Sequence, residues 1–323
     1  MPTTLVTVSA RPEDELFGKA VADMANMEFA KAARHTDLRK IIKEKKDVII
    51  FWDVDHPEAI EISSPLSISN IGQVIRGVVP AEQVFVISTN PLNSTPYIFN
   101  LPIFSHHIYR QFDKPAPQLA SFLVKACKSK AGAFGLANYL PEGQAPRMIT
   151  LKHSRERRAV IEALSKIMEK AGIPTQLNSI ATQAVDEMLM NAIFDAPIRG
   201  ANNETYRRKV DRAADFVLKE REMVEIEFAN CEGYYGICVR DKFGSLKKDS
   251  VLQYIRKDYE KTEYKVKEGN DPGAGLGIYG ILQGGLSLLF AARANNRTEV
   301  MLFLPQVTGM KLFRKSFRFF SFV

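Results

Sequence analysis

In the segment DEMLMNAIFDAP, residues 186–197, Glu187, Asn191 and Asp195 recur every four residues. That spacing puts carboxylate, amide and carboxylate on one side of a helix. Val185, Met188, Leu189, Ala192 and Ala196 cover much of the other side and can pack into a core. Such a stripe is either a solvated face or part of a site, and other segments must decide. VRDKFGSL, residues 239–246, ends an apolar strand pattern with Asp241 and sets Gly244 three residues on. NDPGAGLGIYGI, residues 270–281, is a glycine loop opening a helical pattern. Gly273, Gly275 and Gly277 let backbone approach an anion, and a helix N-terminus adds partial positive charge. Alone, such a loop is more often a structural turn.

The elements that must position these residues fall into two groups. In the first half, TLVTVSA, DVIIFWDVD, QVFVIST and HHIYRQF read as strands. PEDELFGKAVADMA, TDLRKIIKEKK and PQLASFLVKACKSKA read as helices between them. This alternation predicts a parallel sheet with helices on both faces. LPEGQAPR, residues 140–147, is the best linker. Beyond it come a strand (RMITLKH), two helices, a polar stretch at 198–213, and the strands MVEIEFAN, YYGICVRD and RTEVMLFLP. Helices followed by a largely antiparallel sheet predict an α/β sandwich.

Composition sets the limits. The chain has 323 residues, 46% hydrophobic and 25% charged, an ordinary globular balance. A formal charge of +7 is only a weak pointer to anionic partners. Cys127, Cys231 and Cys238 share no metal-ligand spacing and read as reduced structural residues. MPTTLVTVSARPEDE turns acidic where an export signal needs an apolar run, and no run reaches the ~20 apolar residues of a membrane span. GLGIYGILQGGLSLLFAA, residues 275–292, reads as a buried helix and then a strand. A cytoplasmic location without a transmembrane segment is expected.

In chain order, a helix with Glu-x-x-x-Asn, a strand ending in Asp, a charged segment, a Gly-x-Gly-x-Gly loop and a strand carrying Thr298 resemble the GHKL ATP-binding fold. The likeness covers about residues 148–306. Its start and VDEMLMNAIFDA look most like the anti-sigma-factor serine kinases. The resemblance implies ATP and Mg²⁺ as cofactors. Asn191 would hold the metal, Glu187 would activate an attacking hydroxyl, and Asp241, supported by Thr298, would accept from the adenine amino group. Gly244, Gly273, Gly275 and Gly277 would serve the nucleotide, with residues 246–272 as a lid. Where the family carries Asp-x-Gly-x-Gly, this chain has DKFGS, with Phe243 at the first glycine. Phe243 either packs on the adenine or narrows its pocket. Asp195 reads as a solvated helix-end charge, Arg207, Arg208 and Lys209 as solvated surface, and His153 as an ordinary surface histidine. His106 and His107 read as lacking ligand-type partners.

The first half, about residues 1–130, resembles a response-regulator receiver, a flavodoxin-like parallel α/β domain. An unrelated flavodoxin-like domain is the other reading. DVIIFWDVDHP looks like the strand carrying a phosphoacceptor. Counting from Pro57 selects Asp53, and counting from Asp47 selects Trp52. Ser88 ends VFVIS, and QFDKP supplies Lys114. Ser9 and Ala10 stand where a working receiver has paired acids, and Glu13 and Asp14 read as first-turn helix acids. A pseudo-receiver over 1–130, a linker over 131–147 and a GHKL domain over 148–323 are therefore expected.

KLFRKSFRFFSFV, residues 311–323, mixes four basic residues with five phenylalanines. It fits an anionic membrane, nucleic acid, or a strand or helix docked on the protein itself. Docking is preferred, because so many free aromatics would aggregate. The whole implies a signal-transduction protein acting on a Ser or Thr of a regulatory partner, STAS-type or sigma-factor-like, and forming a homo-oligomer. The rival is a non-catalytic adaptor, nucleotide-gated or nucleotide-free. A nucleic-acid regulator rests only on charge and the tail.

Overall fold

The structure, a computed structural model, describes residues 2–55, 70–90, 103–128, 132–200, 204–207, 209–231, 233–253, 281 and 285–323. The chain is mixed α/β and divides into two compact units, Met1–Phe134 with Phe317–Val323, and Gly135–Ser316.

The first unit opens with β1 (Thr4–Val8), α1 (Pro12–Ala25), β2 (Glu28–Ala32), α2 (His35–Glu44) and β3 (Val48–Asp53). It continues through α3 (Asn70–Ile75), β4 (Val84–Ser88), β5 (His106–Tyr109) and α4 (Ala116–Lys128). These five strands run parallel in the order β2-β1-β3-β4-β5, so the winding direction reverses between β1 and β3. Every residue of β1, β3 and β4 is buried, as expected for strands covered on both faces. α1 packs on α4 and α2 on α3, consistent with right-handed crossovers serving the two faces. Local chemistry sets the bounds of α1. Pro12 starts it with a pre-set φ, and Asn26 stops it in the left-handed conformation, its N–H capping Ala22 and Asp23 carbonyls.

The second unit starts with β6 (Arg147–Leu151), α5 (Glu156–Lys170) and α6 (Thr175–Met190). A two-stranded ribbon follows, β7 (Ile198–Arg199) and β8 (Glu204–Thr205). Then come β9 (Val224–Cys231), β10 (Tyr234–Asp241), β11 (Ser287–Arg293), β12 (Arg297–Pro305) and the short α7 (Met310–Phe313). The order here is β11-β12-β10-β9-β6, and every pairing is antiparallel. α5 packs on α6, and α6 packs on β10 and β12. Leu177, Ala181, Ala184, Val185, Met188 and Leu189 form the buried stripe of α6. Fully burying a Leu or Val side chain contributes about 1.5–3 kcal/mol, so this stripe fixes which way the helix faces.

The last strand, β13 (Arg318–Phe322), adds antiparallel to β5, with Phe319 opposite Ile108. Phe313, Phe317, Phe319, Phe320 and Phe322 are all buried, whereas Lys311, Arg314 and Lys315 are exposed. Among the described residues no helix is long and apolar enough to cross a membrane. The strand predicted near the end of 275–292 is β11. β2 had not been foreseen, because only Ala32 of its five residues is buried and its apolar pattern is weak.

Candidate functional site

In the second unit the helix stripe is held by α6 and its continuation. The helix ends at Met190 and passes into a single π turn, Asn191–Asp195, closed by the Ala196 N–H on the Asn191 carbonyl at 2.8 Å. π turns inside helices are frequent at functional sites. Glu187 and Asn191 remain one turn apart and half-buried. Glu187 Oε2 and Asn191 Oδ1 are both shielded from solvent, and neither has a hydrogen-bond partner among the described residues. Burial pushes the Glu187 carboxyl up, Asp186 and Asp195 add to this, and Arg212 and Arg157 oppose it. A half-buried carboxyl raised in this way takes up a proton more readily than a solvated one.

Asp195 departs from the expectation. It is an ion-paired group, not a solvated one, because Arg212 Nη2 lies 3.2 Å from its Oδ2 and its side chain is only 14% exposed.

β10 ends in Asp241, which sits opposite Thr298 of β12. Asp241 is buried, and its Oδ1 accepts from the backbone N–H of Phe243 at 2.8 Å and of Gly244 at 3.2 Å. Burial pushes its carboxyl up to about 6, although those N–H groups and Thr298 pull it back. Gly244 has φ +64°, and an added Cβ would lie 1.9 Å from the Arg293 carbonyl oxygen, so only glycine fits this turn. Phe243 is 2% exposed and packs against Ala196 and Ile198, just past the π turn. The Arg221 guanidinium lies 5.1 Å from its ring centroid.

Because α6 packs on β10 and β12, Glu187, Asn191, Asp241 and Thr298 belong to one helix–sheet layer. Gly273, Gly275, Gly277 and most of the 246–272 segment lie outside the described residues.

The predicted surface residues differ in detail. Arg207 is not solvated. It pairs with the buried Glu222 and stacks on Phe216 at 4.6 Å, because the β7–β8 ribbon folds it inward. Lys209 is exposed, and Arg208 lies outside the described residues. His153 is a partly exposed partner of Asp215 at 3.3 Å. The three cysteines form no disulfide.

In the first unit, the carboxyl ends of the parallel strands gather Asp53, Ser88 and two acids that sequence reasoning did not assign to this cluster, Asp14 and Asp55. At their centre is Arg110, 5% exposed. Its Nε donates to Asp14 Oδ1 at 2.9 Å, its Nη1 to Asp55 Oδ2 at 2.9 Å, and its Nη2 to Asp53 Oδ1 and Asp14 Oδ2. Ser9 Oγ donates to Asp14 at 2.8 Å, Ser88 Oγ to Asp55 at 2.8 Å, and Arg11 Nε to Asp53 at 3.2 Å. The Asp55 and Thr89 backbone N–H groups bond Asp53 Oδ1 and Asp55 Oδ2. All six carboxylate oxygens are therefore taken.

Burial pushes Asp14 up despite Arg110. For Asp55, burial is outweighed by Thr89, Ser88 and Arg110, which hold it below the usual aspartate range. Asp14 is in the first turn of α1 as expected, but it is buried in the cluster and is no surface acid. Lys114 is exposed, and Arg110, four residues earlier, supplies the cation. The DVD spacing of Asp53 and Asp55 at the end of an apolar strand was the available signal.

His106 and His107 are both buried. His106 touches Cys127 Sγ at 3.3 Å, Ser321 Oγ and the Glu82 carbonyl. Burial lowers His107 to about 4. Among the described residues no group of three or more His, Cys, Asp or Glu is arranged to hold a metal ion. A scan of the chain against protein-family models matches none, and a search of the curated proteins likewise finds no match.

Proposed function

We propose that the chain is a signal-transduction protein whose second unit takes ATP with Mg²⁺ as a GHKL domain and acts on a hydroxyl of a protein partner. One observation carries this reading. Glu187 Oε2 and Asn191 Oδ1, one turn apart, are both shielded from solvent and both lack a partner among the described residues. A shielded polar atom left unsatisfied costs about 1–3 kcal/mol, which a ligand can recover. The donor set fits the group. Mg²⁺ keeps several waters and needs one or two protein oxygens, and Asn191 offers an amide oxygen. When bound, Mg²⁺–ATP supplies the phosphoryl group and the neutralising charge.

The rest falls to the chain's own residues. Glu187 takes the proton of the attacking Ser or Thr hydroxyl, helped by its raised affinity for a proton. Asp241 ends β10 with Thr298 beside it, and its carboxylate is the acceptor for an exocyclic amino group once the buried turn is opened. In the first unit, the 2-1-3-4-5 strand order supports the flavodoxin-like, receiver-type reading. Asp53 is fully buried and engaged by Ser9, Arg11 and Arg110. That supports a docking module without phosphoryl transfer.

The test is to titrate Mg²⁺–ATP into wild type and Asn191→Ala and to assay phosphotransfer to candidate partners with Glu187→Ala. Magnesium-dependent binding lost in Asn191→Ala, and transfer lost in Glu187→Ala with binding kept, is the expected pattern. Equal behaviour of wild type and Asn191→Ala removes the metal role. A second reading, a nucleotide-gated adaptor without turnover, is favoured by the buried Phe243. Binding without transfer in wild type selects it.

A further inference from the structure

On the nucleotide-binding reading above, we infer that Phe243 is an internal gate of that site, occupying its purine end until the ring swings out. Asp241 is only 6% exposed, too closed to offer its carboxylate to a ligand as it stands. One of its oxygens is already used by the two backbone N–H groups of its own turn. The side chain two residues on, Phe243, turns back against Ala196 and Ile198, at the end of the helix whose π turn carries Asn191. The ring thus sits beside both the strand end with Asp241 and the helix end following Asn191. It is the size and shape of a flat apolar guest.

The backbone under the ring is fixed. Gly244 needs its positive φ and lies hard against the Arg293 carbonyl, and Asp241 ties down the N–H groups of Phe243 and Gly244. Movement is therefore left to the side-chain torsions of Phe243. The ring's outer contact is Arg221, an exposed guanidinium held over it as a cation–π cap. Ring rotation gives up the contacts with Ala196, Ile198 and Arg221 and vacates the space for a base, so affinity is reduced by the fraction of time the gate is shut.

The experiment is calorimetric titration of the full chain with Mg²⁺–ATP and, separately, adenosine, for wild type, Phe243→Ala, Arg221→Ala and Asn191→Ala. Folding of each variant is checked by its melting curve. Phe243→Ala is expected to tighten both ligands by about tenfold, and Arg221→Ala by about threefold, by unlatching the ring. Asn191→Ala is expected to weaken Mg²⁺–ATP alone, because adenosine carries no phosphate. If wild type binds and folded Phe243→Ala binds no tighter, the gate is overturned while the nucleotide site stands. If Phe243→Ala does not fold, Arg221→Ala decides, and unchanged affinity overturns the gate. If wild type and the folded gate variants bind neither ligand, the gate falls together with the site.

Discussion

At the start of α1 and the end of β3 three aspartates meet the arginine that follows β5, and every carboxylate oxygen is taken. On α6 and the π turn that continues it, a glutamate and an asparagine one turn apart each keep an oxygen that nothing among the described residues takes. Both groups are polar and shielded, yet they differ in what they ask of their surroundings. A satisfied buried network rigidifies the fold, whereas an unsatisfied one costs stability and is tolerable where a ligand completes it. The second unit contains its own satisfied counterpart. Arg240 binds Glu225 at 2.7 Å, Glu227 at 2.9 Å and Glu299 at 2.5 Å. One guanidinium among three carboxylates thus occurs in each unit as a structural device. The α6 pair stands apart because no cation of the described chain completes it.

The contrast is broken most sharply at Arg110. Arg110→Met leaves three buried carboxylates without their cation and should cost about 3–5 kcal/mol, read by urea unfolding at pH 7. Lowering the pH should recover part of the loss, since protonation then neutralises the aspartates. A loss under about 1 kcal/mol would mean that the cluster is not a closed network.

Asp241 gives the next largest effect. Between 3.8 and about 6 the folded chain holds a proton on Asp241 that the unfolded chain has released. Its contribution therefore favours the folded state at low pH, and stability falls as pH rises through that window. Asp241→Asn keeps an oxygen for the Phe243 and Gly244 N–H groups and removes the titration. The variant should exceed wild type by about 2–3 kcal/mol at pH 7, with the two converging toward pH 4, as read from unfolding curves across that range. Parallel curves would show that Asp241 is better solvated than its burial implies.

At the α6 pair the sign is reversed relative to Arg110. Replacing unsatisfied groups by apolar ones of similar size, Glu187→Met and Asn191→Leu, should leave stability unchanged or raise it by about 1 kcal/mol, while Glu187→Met loses phosphotransfer and Asn191→Leu loses magnesium-dependent ATP binding. A loss above about 2 kcal/mol for either would place that side chain in a satisfied network like that of Arg110. The smallest effect belongs to Arg11, whose side chain is 43% exposed although it reaches Asp53 at 3.2 Å. Arg11→Ala should cost about 0.2–1 kcal/mol and lose even that in high salt, measured by thermal melting at two ionic strengths.

Much of the frame was legible because it rests on short-range chemistry. The uninterrupted apolar runs of β1, β3 and β4, the period of α6, Pro12 starting α1 and Gly244 after Asp241 are each local signals. β2 was not legible, since a mostly exposed edge strand leaves little apolar alternation. Nor were the partners of Asp53. Asp14 lies 96 residues from Arg110 along the chain, and only parallel pairing brings the start of α1 beside the end of β5. The inward turn of Phe243 onto Ala196 and Ile198 was equally hidden, because it depends on where α6 meets β10.

What the sequence determined by itself was which strongly apolar or periodic segments become strand and helix, and that Glu187 and Asn191 share one side of α6 and its π turn, since periodicity and turn chemistry act within a few residues. The tertiary structure alone decided which polar groups are satisfied. A hydrogen bond or ion pair needs two groups within about 3 Å, and chain positions tens of residues apart reach that distance only when the sheets assemble. The arginine that closes the first unit's acids and the oxygens left open on α6 follow from that assembly.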